Sequence, residues 1–266
     1  MTIDSQAYTH LDKVFWPEEG YTKKDLLEYY QKISPFILPY LKDRPLTLHR
    51  FPNGIKGESF YQKNVTHLPP KGIPTVLIPH SEKNLRYLYV KNETSLLYVV
   101  NLGSIDLNPF NSRINHLDHP DYCVIDLDPE KIEFEAVIET AQAFYELLSA
   151  RDIPCYCKTS GASGLHIFLP LAAKYTDEQS KQFAQLLAHL VNQKLPDITS
   201  LERMPDKRQG KVYLDCLQNR LGQTVAAAYC VRPLPHAPVS TPLNWSEVKK
   251  GLNPTDFTIK TIFKYI

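Results

Sequence analysis

Tyr122-Cys123-Val124-Ile125-Asp126-Leu127-Asp128-Pro129 is the stretch that most narrows what this chain can become. Its apolar, β-prone residues read as a buried strand whose tip carries two carboxylates. Side chains two apart on a strand share a face, so Asp126 and Asp128 stand side by side. Pro129 has no N–H for the ladder and closes the strand. Two carboxylates facing one way repel each other unless a cation sits between them. The usual occupant is a divalent ion held by oxygen, Mg²⁺ or Mn²⁺, often as half of a two-metal phosphoryl-transfer site. The same spacing also serves ordinary loop entry, because Asp caps helices and starts turns.

Two further segments add to this tip. Cys155 to Thr159 reads as a strand, followed by the small-residue loop Ser160-Gly161-Ala162-Ser163-Gly164 and the strand Leu165–Pro170 with His166 inside it. Such a loop offers backbone N–H groups and hydroxyls to an anion, and His166 can reach the same phosphate. Lys211–Asp215 is a third apolar strand carrying a carboxylate, and Thr224 to Tyr229 reads as the returning arm of its hairpin, with Arg232 at the end. Asp126, Asp128 and Asp215 together match a two-metal nucleotidyl-transfer site, with the Gly/Ser loop, His166 and Arg232 around a triphosphate. A metal-dependent phosphodiesterase or nuclease would use the same carboxylates and His166, and a catalytically silent DNA-end-binding module would keep them as structure.

The spacing predicts helices after Phe134 and after Thr176, and an amphipathic helix opened by a Thr22–Asp25 capping box that ends near Pro39. Lys23 and Lys24 sit in its first turn, where cations oppose the helix dipole unless an anion binds. From Pro45 to about Val100, breaks such as Asn53-Gly54 and Pro69-Pro70 predict small strands and loops rather than helices. Arg50, Phe51, Phe60, Tyr61 and Lys63 lie there, and aromatics interleaved with cations make stacking platforms for unpaired bases.

At 266 residues the chain suits one large domain or two interleaved lobes, and 43% hydrophobic residues with 22% charged make it globular. Residues 1–91 carry 13 Lys/Arg against 9 Asp/Glu, a balance of +4, and residues 92–266 carry 17 against 20, or −3. That suits a polyanion on the front and metal ions behind. No apolar run of membrane-spanning length and no signal peptide is visible, so a cytoplasmic, nucleoid-associated protein without a membrane partner is expected. Five cysteines without Cys-x-x-Cys spacing point to free buried thiols.

Val124–Pro129, Thr159-Ser160-Gly161-x-x-Gly164-Leu165-His166 through Leu171, and Lys211–Asp215 with Ala228–Arg232 resemble the three motifs of the archaeo-eukaryotic primase superfamily. More narrowly, the chain resembles the polymerase domain of bacterial ATP-dependent DNA ligase D and its stand-alone relatives in non-homologous end joining. The resemblance runs nearly end to end, through Asp12-Lys13-Val14, Tyr21-Thr22-Lys23, Arg50–Gly54, Asn108–Arg113 and Pro238–Leu243.

It implies an α+β fold: a primase-like (RRM-like) catalytic sheet flanked by helices, with an N-terminal α/β lobe packed against it. A single primase-polymerase domain over 1–266 would then comprise a DNA-end-binding lobe of about 1–100 and a catalytic lobe of about 101–266. The implied activity is nucleotide addition at DNA ends and gaps that carry a 5′-phosphate, with two Mn²⁺ or Mg²⁺ ions and nucleoside triphosphates, ribonucleotides preferred. Asp126, Asp128 and Asp215 correspond to the catalytic metal ligands. Ser160, Gly161, Ser163, Gly164, His166 and Arg232 correspond to the nucleotide site, and Lys13 and Lys23 to a 5′-phosphate pocket. Phe60 and Tyr61, with Arg50 and Lys63, correspond to the template contacts. Implied partners are a Ku-type end-binding protein and a DNA ligase, the latter on another chain or on a further part of the same protein, since no ligase or phosphoesterase segment lies within these 266 residues. Many relatives carry lysine where Ser163 stands, which removes one triphosphate contact here, and some carry histidine where Asn108 stands; either nucleotide affinity is lower or Lys158 or Arg220 compensates.

Overall fold

A computed structural model describes residues 8–80 and 83–266, and the chain forms two compact, interleaved units. The first takes the chain up to Ile114 together with Thr224–Ser240 and Asp256–Ile266; the second takes Asn115–Gln223 and Thr241–Thr255.

In the first unit the order is β1 (Val14–Trp16), β2 (Tyr21–Thr22), α1 (Lys23–Leu41), β3 (Leu46–Arg50), β4 (Phe60–Gln62), β5 (Thr75–Pro79), β6 (Asn84–Leu88), α2 (Glu93–Asn101) and β7 (Ser104–Pro109). Strands β4-β3-β7 form one sheet, and β1-β2 and β5-β6 form two hairpin pairs. The Thr22 hydroxyl caps the N–H of Asp25 while the Asp25 carboxylate accepts the N–H of Thr22, the reciprocal box expected at this end. Leu26, Leu27, Tyr30, Ile33, Ile37 and Leu41 form the fully buried face of α1. Each such side chain contributes roughly 1.5–3 kcal/mol of transfer free energy.

The helix runs past Pro39 to Leu41 with Pro35 and Pro39 inside it. Both prolines lie one turn apart on the exposed face, where water can take the two carbonyls that lose a donor. A second difference is α2, within the stretch expected to hold only strands and loops. Asn92 and Ser95 cap it reciprocally, and its Leu96-Leu97-Tyr98-Val99-Val100 run is buried on so many sides that helical periodicity is hidden.

The second unit holds β8 (Tyr122–Pro129), α3 (Phe134–Ser149), β9 (Tyr156–Thr159), β10 (Leu165–Pro170), α4 (Asp177–Lys194), β11 (Thr199–Ser200), β12 (Val212–Asp215) and β13 (Pro242–Leu243). One mixed sheet runs β11-β12-β8-β10-β9-β13, with only β11-β12 parallel. Helices α3 and α4 pack on each other and on central strand β8. The Cys123 thiol donates to the Ser180 carbonyl of α4, so Cys123, Ile125 and Leu127 face the helices. Alternation turns Asp126 and Asp128 to the opposite face.

Thr224–Tyr229 is not the hairpin partner of β12. It lies in the first unit, where Ala227 donates its N–H to the Leu107 carbonyl. The partners β12 does have are β8 on one side and, at Val212 and Tyr213, β11 on the other. All five cysteines are free and buried. Burial raises the thiols of Cys123, Cys216 and Cys230 to about 12 and that of Cys155 to about 11. Among the described residues no helix is long and apolar enough to cross a membrane.

Gly164 sits where a Cβ would collide with the Leu127 carbonyl oxygen, so β8 and the loop before β10 approach too closely for any side chain. Gly164→Ala is expected to destabilise the protein by about 1–3 kcal/mol, because one of two backbone segments must move. Denaturant unfolding of the two proteins side by side measures it; equal midpoints would contradict the packing described.

Candidate active site

In the second sheet, register alone assembles a row of functional groups. Asp126 is paired with Asp215 of β12 on one side and with His166 of β10 on the other, and His166 is paired in turn with Lys158 of β9. Directly opposed residues share a face, so Asp215, Asp126, His166 and Lys158 line up across four strands. The His166 Nε2 lies 3.2 Å from Asp126 Oδ1, and the Lys158 Nζ lies 2.7 Å from His166 Nδ1. Asp128 follows on the same face, paired with Tyr213.

Gln218, in the turn after β12, donates its amide to both acids, 3.2 Å from Asp126 Oδ2 and 3.2 Å from Asp215 Oδ2. Asp215 Oδ1 accepts the Leu217 N–H at 2.8 Å and the Tyr213 hydroxyl at 3.4 Å. Burial, then the Asp215 charge, raises the Tyr213 phenol to about 12, so it stays a donor at neutral pH. Among the described residues no three His, Cys, Asp or Glu side chains form a ready cage for a metal ion. The Gln218 amide instead holds one oxygen of Asp126 and one of Asp215. The donor set itself, carboxylates on adjacent strands of one face, is the hard-oxygen chemistry that Mg²⁺ and Mn²⁺ take.

The Ser160–Gly164 loop is closed on itself. The Ser160 hydroxyl accepts the N–H groups of Ala162 and Gly164, each at 3.0 Å, and the Ser160 N–H donates to the Gly164 carbonyl. Three N–H groups that looked available to an anion are therefore spent on loop shape. Gly161 takes a φ of +73°, which favours glycine, and Ser163 is exposed at the tip.

The first unit gathers the remaining residues in two groups. Lys13 donates to the Pro52 carbonyl and to Asn53 Oδ1, each at 2.6 Å, and Gly54 lets that loop lie against β1, where a Cβ would meet the Phe15 carbonyl oxygen at 2.7 Å. Lys23 is only 4% exposed and donates to the Thr9 carbonyl at 2.7 Å. Burial first, then the charges of Lys13 and Arg50, pushes the Lys23 ammonium down to about 8. Three cations thus crowd one corner of this unit. Arg50 also lies over the Phe60 ring, 5.2 Å from its centre, while Phe60, Tyr61 and Lys63 are exposed.

The second group is another cross-strand row, Tyr61 of β4, His49 of β3 and Asp106 of β7. The His49 ring stacks on Tyr61 with centres 4.1 Å apart, and Asp106 Oδ2 lies 3.7 Å from His49 Nδ1 and 3.5 Å from the Arg232 Nε. Burial works to raise the Asp106 carboxyl, but Arg232, His49 and Asn108 outweigh it and hold the group below its ordinary range. Sequence patterning passed over Asp106, His49, Tyr213 and Gln218. The signal for the first two was a polar residue inside a strand, the same mark that singled out His166.

A family model described as the LigD primase-polymerase domain matches residues 22–266. The chain is 32% identical over 262 residues to the bifunctional non-homologous end joining protein LigD of Bacillus subtilis, covering 97% of this chain and 42% of that protein. It is 30% identical over 255 residues to the multifunctional LigD of Pseudomonas aeruginosa, covering 96% of this chain and 30% of that protein. The chain therefore spans less than half the length of these relatives. Among solved structures, the polymerase domain of Mycobacterium tuberculosis ligase D in complex with DNA superposes with a TM-score of 0.91 at 25% identity, covering 97% of this chain and 93% of that one.

Asp106→Asn keeps the shape but removes the negative charge that lies beside both Arg232 and His49. The variant is expected to lose about 1–3 kcal/mol at neutral pH. The lowered folded value makes the carboxylate stabilising above its unfolded value of 3.8, and that contribution is lost as pH falls through the folded value. Urea unfolding at pH 7 and near pH 3 should therefore show the gap between variant and wild type shrink in acid. A constant gap would mean that packing, not charge, is what Asp106 supplies.

Proposed function

The chain belongs to the LigD primase-polymerase domain family, nucleotidyltransferases of end-joining DNA repair, and from that premise we propose that it extends DNA ends and fills gaps using nucleoside triphosphates. The observation that carries the reading is the row Asp215, Asp126 and His166 with Asp128 beside it. Acids that could hold divalent ions and a ring that could meet a phosphate are thereby fixed on one sheet face by register.

Asp126, Asp128 and Asp215 would hold two ions, Mn²⁺ or Mg²⁺. When bound, these supply a lowered pKa for the attacking 3′-hydroxyl and charge neutralisation for the leaving pyrophosphate. The chain's own residues do the rest. His166 and Ser160 orient the phosphates, and Gly161 and Gly164 shape the loop that brings Ser160 and exposed Ser163 toward them. Phe60 and Tyr61 present ring faces to unpaired template bases, with Arg50 and Lys63 on the backbone.

End recognition falls to Lys13 and Lys23. A terminal phosphomonoester carries nearly two negative charges against one for an internal diester, so crowded cations select an end from continuous backbone. The relative from Mycobacterium tuberculosis is a DNA complex, in keeping with this assignment. Filling a gap leaves a nick, so the reaction calls for a ligase to follow it, and a Ku-type protein that holds the two ends together would supply the substrate.

Replacing both metal-side acids tests the catalytic half. Asp126→Ala/Asp128→Ala should lower nucleotide addition on a gapped duplex by at least about a thousandfold, some 4 kcal/mol, while DNA-end affinity stays within a few-fold. Wild-type extension by the double variant would end this assignment.

The ammonium of Lys23 at about 8 makes end recognition pH-dependent with a definite sign. Below that value the lysine is charged before DNA arrives. Above it, binding a phosphate must first take up a proton, so the preference for a 5′-phosphate over a 5′-hydroxyl end should fall by up to about tenfold per pH unit between pH 8 and 10. Fluorescence titration of both duplexes at fixed salt measures the preference, and Lys23→Met should abolish it and its pH dependence together. A preference that stays flat across that range would place the phosphate elsewhere.

A further inference from the structure

Gln218 stands between two of the acids that would hold metal ions. We propose that Gln218 is a placeholder for the divalent ion: its amide relieves the repulsion between Asp126 and Asp215, and it must turn aside before an ion can take their facing oxygens. This one side chain then sets how much Mn²⁺ or Mg²⁺ the site requires. The inference deepens the metal-site reading and rests on it.

The geometry is that of a bridge. Asp126 and Asp215 are register partners on β8 and β12, so two like charges face each other across one strand gap. The Gln218 Nε2 lies 3.2 Å from Asp126 Oδ2 and 3.2 Å from Asp215 Oδ2. The remaining oxygens face other groups. Asp215 Oδ1 accepts the Leu217 N–H at 2.8 Å, and Asp126 Oδ1 lies 3.2 Å from the His166 ring nitrogen. The two Oδ2 atoms are thus turned toward one point. An amide nitrogen carries two hydrogens, one for each acid, and carboxylate oxygens are also what Mg²⁺ and Mn²⁺ take. The nitrogen and a cation drawn to the same two oxygens exclude each other.

The turn after β12 lets this side chain leave while its backbone stays. Asn219 is 1% exposed; its amide donates to the Val124 carbonyl at 2.6 Å and the Cys216 carbonyl at 3.0 Å, and its Oδ1 accepts the Val124 N–H at 2.8 Å. Those bonds stitch the turn to β8 two residues before Asp126. Gln218 itself is only half-buried, so rotation about its own side-chain bonds can carry the amide away with no strand moved. The sign of the effect follows. Removing the amide takes away a competitor and leaves the repulsion between the acids for the cation alone to relieve, and both changes tighten ion binding. Were the amide instead arranging the acids for the ion, its loss would weaken binding.

The probe is Mn²⁺ alone, titrated into the full chain and followed by the loss of the free-ion electron paramagnetic resonance signal. Gln218→Ala should bind Mn²⁺ about tenfold more tightly than wild type, the worth of one charge-assisted hydrogen bond. Gln218→Asn, whose amide is one carbon too short to reach both acids, should do the same. A second measurement needs only the wild type. In protein labelled with ¹⁵N, the Gln218 side-chain amide signal, assigned through its backbone connectivity, should move toward those of solvated glutamines as Mg²⁺ is added.

Mn²⁺ affinity that is unchanged or weakened in the variants overturns the proposal, as does a Gln218 signal that stays in place at saturating Mg²⁺. No Mn²⁺ binding in wild type and variants alike, or binding that survives Asp126→Ala/Asp128→Ala, would instead sink the metal reading itself.

Discussion

Antiparallel pairing of β8 with β10 and β12 is the constraint from which the acidic face follows. The pairing sets Asp126 between Asp215 and His166, and alternation sends Ile125 and Leu127 to the helices. A slip of one residue would exchange the two sets, placing carboxylates against α3 and α4 and isoleucine and leucine where the acids belong. Several kcal/mol of apolar burial therefore guard the alignment of the polar groups. Chemistry and core are two sides of one strand, and one register sets both.

The first unit uses the same device with different residues. Tyr61, His49 and Asp106 succeed one another across β4, β3 and β7, so an exposed aromatic surface and a buried carboxylate are joined by one ring. Asp106 also balances Arg232, which reaches this unit from a segment more than a hundred residues later in the chain. Sequence distance is no guide to such a pairing, because the sheet supplies one partner and a returning segment the other.

Much of the second unit could be read from the sequence, since its strands are short apolar runs with a single polar interruption. Each of those interruptions, Asp126, His166 and Asp215, turned out to lie in the row. The capping box at Thr22 and the helices after Phe134 and Thr176 follow from local hydrogen bonding and periodicity, which need no tertiary knowledge. What escaped had non-local causes. Gln218 bridges two acids from a turn, and its role exists only once β12 and β8 are paired. Helix α2 was hidden because burial on many sides erases the periodic stripe. Thr224–Tyr229 had strand-like composition, yet its partner carbonyl belongs to Leu107 and not to the neighbouring strand. The Gly/Ser loop was expected to open its N–H groups outward, and the Ser160 hydroxyl turns two of them inward.

The five buried thiols carry a consequence for redox chemistry. Oxidants and electrophiles attack the thiolate, and a group titrating near 12 is ionised at neutral pH in only about one molecule in a hundred thousand. Burial also denies peroxide a path to the sulfur. Cys123 and Cys230 instead serve as buried hydrogen-bonding groups, Cys123 donating to the Ser180 carbonyl and Cys230 accepting the Leu107 N–H, a use of sulfur that needs the neutral thiol.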